Sequence, residues 1–318
     1  MDLQETKIGE LSCTRFGLGC WAFGGSGWGG QDDEKSLATL TAALEAGITH
    51  YDTATAYGDG KSEEVVGQVL KKAGKPVTVA SKVDFLETAK EMCEAVDASR
   101  ERLGCDVIDL YYIHWPKSGV DLRPAMEGLE QCRAAGKIRA VGVSNFSVEQ
   151  MEEVAQVGTI DAHQFCYNLY WRFAEKDIIP YCREHHIAGV TYSSIAQGLL
   201  TGKFGPEKPE FPEGDQRNTN VLFDDAVYPH LHAATEKMKP LAAEAGRELV
   251  ELAIAWVLQQ PGVDIALVGA RKPSQLQSNL KAADGEIKPE VFEQLTAISD
   301  EAMQHMPADE GNIFRHDP

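Results

Sequence analysis

The sequence is short of positive charge. Its 30 lysines and arginines face 49 aspartates and glutamates, a formal charge of −19. Such a surface repels nucleic-acid phosphates and anionic lipid, so neither is expected as a partner. Paired cysteines are lacking too. The seven cysteines (Cys13, Cys20, Cys93, Cys105, Cys132, Cys166 and Cys182) are odd in number and contain no C-x-x-C spacing. That argues against a disulfide framework, a zinc ribbon or a thioredoxin-type site; most fall in apolar runs and are expected to act as small core residues. No apolar run reaches the ~18 residues that a bilayer span needs. The first seven residues lack the basic and apolar segments of a signal peptide, so the expected location is the cytoplasm. No carboxylate spacing near a histidine suggests a metal, and His50 and the pair His185–His186 read as structural or surface residues.

Low-complexity runs and interdomain linkers are also absent. What is present is a period. Strand-like runs at Arg15–Cys20, Ile48–Asp52, Val77–Lys82, Val107–His114, Ile138–Ser144, Ala162–Tyr167, Gly189–Ser193 and Ile265–Val268 alternate with amphipathic runs. Those helical candidates are Glu34–Ala46, Ser62–Ala73, Thr88–Leu103, Pro124–Ala135, Val148–Gln156, Ile178–His185, a longer region before the last strand, and Pro273–Ala283. Such a βα repeat predicts a parallel sheet closed into a (β/α)8 TIM barrel. A chain of 318 residues suits one such domain with insertions, so residues 1–318 are expected to form a single barrel. Ser62 with Glu63 and Glu64, and Ser147 with Gln150, read as helix starts, the second with capping-box spacing. Three segments lie outside the period. Residues 1–14 suit a hairpin closing the barrel's bottom, with its turn at Gly9. Gly202–Val227 is a long polar loop after the seventh strand, of the kind that forms lids or binding loops. Pro289–Pro318 reads as one extra C-terminal helix and a tail, whose Asn312–Arg315 stretch is within reach of the barrel's mouth or else frayed.

In a TIM barrel the strand C-termini converge on the active site. Here the second strand ends in Asp52 and continues into a loop bearing Tyr57. The third ends in Lys82 and the fourth in His114. These residue types suit carbonyl reduction. Hydride addition leaves an alkoxide that must be protonated, and a tyrosine with a reference pKa near ~10 holds its proton at neutral pH. A neighbouring ammonium stabilises its phenolate. Asp52 would keep Lys82 charged and oriented, and His114 would donate a hydrogen bond to the carbonyl oxygen.

The run Tyr51-Asp52-Thr53-Ala54-Thr55-Ala56-Tyr57-Gly58, followed by Lys82 and His114, resembles the catalytic tetrad of the aldo-keto reductase superfamily. The likeness continues through Gly142–Phe146, Gln164, Tyr192-Ser193 and Val268–Lys272, and is nearest to the branch with potassium-channel β subunits and bacterial inositol-operon-type reductases. The resemblance implies an enzyme that reduces an aldehyde or ketone with NADPH, NADH being less favoured. It implies that Ser144, Asn145 and Gln164 bind the nicotinamide carboxamide, that Tyr192 stacks on the ring, that Arg271 and Lys272 meet the adenosine 2′-phosphate, and that Asn279 meets the adenine. Trp21, Ser193, Gly198, Leu200, Lys203, Gly269 and Gln275 complete the implied cofactor site. Gln275 stands where many members carry arginine, and Ser278 where many carry glutamate. Trp28, Phe85, Trp115 and Trp171 are candidate substrate walls, together with Trp21, and predict an apolar or aromatic-tolerant pocket; sugars and steroid-like carbonyls both suit such walls.

Gly25-Ser26-Gly27-Trp28-Gly29-Gly30 imitates a dinucleotide fingerprint. It lies several residues beyond its strand, and Gln31 and two aspartates separate it from the helix, so it reads as a loop of the mouth. Asn145-Phe146-Ser147 is a glycosylation sequon without a secretory signal, and Gly198–Lys203 misses P-loop spacing. Two other functions suit the same residues. One is an NADPH-binding sensor or partner subunit with weak catalysis. The other is a barrel aldolase using Lys82 as a Schiff base.

Overall fold

The computed structural model describes residues 3–307 and 312–316. The outermost residues of the N-terminal segment and parts of the tail discussed above lie outside that range. Eight parallel strands close a barrel: β3 (Phe16–Gly19), β4 (His50–Asp52), β5 (Thr78–Val83), β6 (Ile108–Ile113), β7 (Ile138–Ser144), β8 (Ala162–Cys166), β9 (Ala188–Tyr192) and β10 (Ile265–Gly269), with β10 pairing both β9 and β3. Each strand begins and ends within about two residues of the expected run. The antiparallel hairpin β1 (Glu5–Ile8) and β2 (Leu11–Thr14) turns at Gly9. Its Ile8 and Cys13 are fully buried against Ala80, Leu110 and Ala162 of the barrel interior. The hairpin thus plugs one end of the barrel, and the other end is left for the site.

Side chains of a strand alternate between faces. Outward residues such as Tyr51, Val141 and Val143 join the layer beneath the helices, while Tyr112 and Leu267 point inward. Inside, small residues make room for large ones. A Cβ at Gly17 would stand 2.9 Å from the His50 ring, and one at Gly142 would stand 2.2 Å from the Tyr112 ring. His50 is completely buried and neither ring nitrogen has a partner, in keeping with a structural rather than catalytic place.

The outer ring consists of α1 (Asp33–Glu45), α2 (Lys61–Leu70), α3 (Ala89–Leu103), α4 (Arg123–Ala134), α5 (Val148–Val154), α6 (Ile178–Glu184), α7 (Tyr228–Glu244), α8 (Leu249–Gln259), α9 (Pro273–Leu280) and the extra C-terminal α10 (Pro289–Met303). Ser147 and Gln150 form the expected capping box, and Thr88 with Glu91 forms another. Ser62 marks the start of α2, as expected. It lies inside the first turn of α2, whose cap is Gly60 in the left-handed conformation. Its hydroxyl donates to the carbonyl of Cys20 (2.8 Å) and accepts from Thr53 (2.8 Å), so it fastens the loop after β4. Five cysteines are buried and all seven are free thiols. Among the described residues no helix is long and apolar enough to cross a membrane.

The loop after β9 departs from its polar appearance. Phe204, Phe211, Phe223 and Tyr228 form a chain of ring contacts with centroids 4.9–6.0 Å apart. Three of its polar residues, Lys203, Gln216 and Arg217, reach the cavity at the barrel's mouth.

Candidate active site

Lys82 is fully buried at the end of β5, and its ammonium has three hydrogens to place. It donates to Asp52 Oδ1 (2.6 Å), to the carbonyl of Thr53 (2.7 Å) and to Tyr57 Oη (3.3 Å). Asp52 Oδ2 accepts from Gln164 Nε2 at 2.9 Å, so both carboxylate oxygens are satisfied. Because Lys82 occupies a lone pair of the Tyr57 oxygen, the phenolic hydrogen remains available to a group in the cavity. Burial pulls the Lys82 amine down, but Asp52 and Tyr57 outweigh it and leave the amine above its ordinary value. Burial pushes the Tyr57 phenol above its ordinary range, and Lys82 only partly offsets this. Tyr57 is therefore fully protonated at neutral pH. His114 stands edge-on to it, with ring centroids 5.7 Å apart. Burial holds the His114 imidazole below its ordinary value.

The loop carrying Tyr57 is fixed from behind. Glu63, fully buried on α2, accepts from Ser81 Oγ and from Arg102 Nε, both at 2.5 Å, and Arg102 also donates to Thr55 Oγ1 at 3.0 Å. In front, Gly58 passes Gly24 so closely that a Cβ on Gly58 would stand 2.0 Å from the Gly24 carbonyl oxygen, at a φ of +68°. Gly58→Ala is expected to cost about 1–3 kcal/mol through overpacking. Because the neighbouring residue is Tyr57, catalysis should fall more than stability; kinetics beside a thermal melt will read both.

A cavity of about 500 Å³ opens above this cluster. Of the residues that the sequence nominates, it is lined by Trp21, Trp28, Asp52, Tyr57, His114, Trp115, Ser144, Asn145, Gln164, Tyr192, Ser193, Gly198, Lys203, Gly269, Arg271, Gln275 and Asn279. Asn145, at a φ of 61°, takes the left-handed conformation that asparagine tolerates better than most residues. It donates to Ser144 Oγ (3.0 Å) and to the His114 carbonyl (3.1 Å), and accepts from Tyr192 Oη (2.7 Å). Beyond β9, Ser193, Ala196, Gln197 and Gly198 all have positive φ. Backbone of that kind persists only where its surroundings hold it; here Gln197 Nε2 donates to Ser193 Oγ at 2.6 Å.

Three cations share the cavity: Lys203, Arg217 and Arg271. Burial and the repulsion of the two arginines hold the Lys203 amine below its ordinary value. Arg217 is paired with Asp215 at 2.6 Å, so a polyanion chiefly relieves Lys203 and Arg271. Arg271 is further held by the loop after β3, its Nε donating to Gln31 Oε1 at 3.1 Å and its Nη2 to the Gly30 carbonyl. Its backbone N–H donates to Gln275 Oε1 at 2.8 Å.

Some nominated residues stand elsewhere. Phe85 is half-buried against the helix layer and is not part of the lining. Trp171 is buried in a second core cluster, edge-on to Phe173 at 4.9 Å. Leu200 is fully buried in that same cluster, and Lys272 stays outside the cavity at the cap of α9. Conversely, Asp84, Gln197, Gln216, Arg217 and His316 line the cavity without having been singled out. The tail does reach the mouth. Ile313 is fully buried and its carbonyl accepts from the Val221 N–H (3.0 Å). Phe314 lies 5.4 Å from Trp21 and 6.1 Å from Tyr192, and His316 stacks on Trp115 at 4.6 Å.

This architecture, with its site at the strand C-termini, is that of an NAD(P)H-dependent oxidoreductase, and the comparisons with known proteins agree. The aldo/keto reductase family model matches residues 15–300, and the chain belongs to that family. Aldo-keto reductase YhdN of Bacillus subtilis is 41% identical over 87% of each chain. The NADH-specific methylglyoxal reductase of Escherichia coli is 32% identical over 86% of this chain and 90% of its own. A probable voltage-gated potassium channel β subunit of Arabidopsis thaliana is 28% identical over 89% and 92%, in line with the branch noted above. Among solved structures, glycerol dehydrogenase AKR11B4 of Gluconobacter oxydans superimposes with a TM-score of 0.86 at 34% identity, covering 97% of this chain and 98% of that one. An aldo-keto reductase from Klebsiella pneumoniae in complex with NADPH superimposes with a TM-score of 0.76 at 28% identity, over 94% and 96%.

Proposed function

We propose that this protein reduces a small aldehyde or ketone to the alcohol, with Tyr57 as proton donor and NADPH as the reductant. The observation that carries the reading is the Lys82 ammonium bound at once by Asp52, the Thr53 carbonyl and the Tyr57 oxygen. NADPH, when bound, supplies a hydride to the carbonyl carbon. Tyr57 gives its proton to the oxygen as negative charge develops there, and Lys82 stabilises the phenolate that remains. Asp52 keeps that ammonium charged in a site where burial disfavours it. In its protonated form His114 donates a hydrogen bond to the carbonyl oxygen. A positioned acid contributes about 10²–10⁴ in rate, and fixed donors at the oxygen add to it.

The residues present fit the cofactor. Ser144, Asn145 and Gln164 offer amide and hydroxyl groups for a carboxamide, and Tyr192 an aromatic face for the nicotinamide. Lys203 and Arg271 offer charge for the phosphates, and Gly198, Gly269, Gln275 and Asn279 line the remainder; Leu200 contributes no side chain, since it faces the core. The cations favour a 2′-phosphate over a bare ribose hydroxyl. Trp21, Trp28 and Trp115 wall the substrate side. The names of two similar proteins, a methylglyoxal reductase and a glycerol dehydrogenase, put small oxygenated compounds first in line as substrates. A single domain over residues 1–318 and a cytoplasmic location belong to the same reading.

The test is a panel of aldehydes, ketones and sugars with NADPH and with NADH, on the wild type and on Arg271→Ala. Wild type should oxidise NADPH faster than NADH. The variant should lose about 10–100-fold in NADPH affinity, as removal of a charge-assisted contact does, while NADH is nearly unaffected. Tight NADPH binding with no turnover on any carbonyl would favour the binding-subunit alternative.

A further inference from the structure

The cavity is electrically divided. Lys203, Arg217 and Arg271 lie together on the cofactor side, whereas the Asp84 carboxylate lies beside His114 and close to His316. Asp84 follows β5 directly, two residues after Lys82, and its side chain is about half exposed. Its Oδ1 stands 3.2 Å from Nδ1 of His114. That nitrogen is sealed from solvent and has no aligned hydrogen-bond acceptor or donor. The carboxylate therefore meets it as a neighbouring charge, off the line of an ideal hydrogen bond. His114 lines the cavity, and with Nδ1 sealed, Nε2 is the ring nitrogen able to face it.

We infer that Asp84 is a positioning residue for the reaction: its carboxylate draws the His114 proton to Nδ1, so that the neutral imidazole presents an Nε2 lone pair to the substrate and only the imidazolium presents an Nε2–H. The inference rests on the proposed reductase reading and refines one role in it. In a neutral imidazole one nitrogen donates and the other accepts, and the partner of one decides the function of the other. The remaining charged and titratable groups facing His114 are Asp52 on β4, Lys82 on β5, Tyr57 in the loop after β4, and His316 of the tail, which stands beside Asp84. Asp52 and Lys82 form a closed ion pair at 2.6 Å. Asp84 is thus the charge that distinguishes the two ring nitrogens. It also opposes the burial that holds the His114 imidazole below its ordinary value.

A chemical asymmetry follows. The imidazolium donates to a carbonyl oxygen and so serves reduction. The neutral form with its proton on Nδ1 accepts from an alcohol hydroxyl and so serves the reverse oxidation. Reduction is accordingly strongest below the His114 titration and declines as pH rises through it.

Two-bond 1H–15N correlation spectra of the full-length protein labelled with 15N-histidine test this, with His114 assigned by its loss in His114→Gln. At a pH where His114 is neutral, wild type should show the proton on Nδ1. Asp84→Asn should move it wholly or partly to Nε2, and Asp84→Glu should restore the wild-type pattern. In parallel, kcat for reduction by wild type should fall about tenfold per pH unit above its inflection. The Asp84→Asn profile should flatten, because its neutral imidazole can still donate, while the Kd for NADPH stays the same. An Nε2-protonated neutral imidazole in wild type, or identical spectra and pH profiles in wild type and Asp84→Asn, would overturn the inference. Neither result touches the assignment of Tyr57, which fails separately if Tyr57→Phe remains active.

Discussion

Tyr57→Phe is expected to lower kcat for aldehyde reduction by about 10²–10⁴-fold, the usual worth of a positioned acid, with the Kd for NADPH unchanged. The reasoning is local. Lys82 already donates to the Tyr57 oxygen, so the phenolic hydrogen is directed at the cavity. Phenylalanine keeps the ring that packs on Trp21 at 5.8 Å and edge-on to His114, but brings no proton. The variant should fold normally, because among the described residues the lost hydroxyl accepted one hydrogen bond, the 3.3 Å bond from Lys82. Fluorescence titration with NADPH beside single-turnover kinetics separates binding from chemistry. The pH profile has a defined sign as well. Burial raises the Tyr57 phenol above its ordinary range, so loss of activity from its ionisation begins only in strongly alkaline solution. A decline nearer neutrality belongs to His114, which lies below its ordinary value.

Lys82→Met should damage both activity and stability. The ammonium and the Asp52 carboxylate are both almost completely buried and bonded at 2.6 Å. Removing one partner leaves an uncompensated charge, which costs about 3–5 kcal/mol in a buried pair. Asp52 retains its contact with Gln164 Nε2, so the loss should sit at the lower end of that range. The double variant Asp52→Asn, Lys82→Met removes both charges and should recover much of the stability but none of the turnover. Urea unfolding of the two single variants and the double variant measures the coupling. If the double variant were no more stable than Lys82→Met alone, the pair would not be a structural ion pair in the sense described.

How far the sequence reaches is clearest at the strand ends. Asp52, Lys82 and His114 could be placed together from sequence because each terminates an apolar run, and a parallel barrel brings all such ends to one rim. The outer helices and the hairpin were legible from period and turn residues in the same way. The α2 cap was not. Gly60 serves there in a left-handed conformation, while the hydroxyl of Ser62 in the first turn is bonded to Cys20 and Thr53. Phe85, Trp171 and Leu200 mark a second limit. Each lies on a loop of the mouth, but whether a loop side chain faces cavity or core depends on contacts with distant segments. Trp171 turns to Phe173, and Leu200 to the cluster beneath α7 and α8. Arg217 was missed for the same reason. It sits in the long loop after β9, and its place in the cavity depends on contacts with the Phe211 and Trp28 rings that the polar local sequence does not show. Asp84 carries no local signal, since nothing in Val-Asp-Phe shows that an imidazole from the next strand end lies beside the carboxylate.

The central claim is that a carbonyl in this cavity receives hydride from a nicotinamide while Tyr57 protonates the oxygen. It is tested most directly with NADPH carrying deuterium at the transferred position of C4. Mixed with the wild-type protein and a reactive aldehyde, it should give an alcohol with one deuterium on carbon, and Tyr57→Phe should give almost none. An alcohol without deuterium, or a labelled alcohol formed equally well by the variant, would contradict the account.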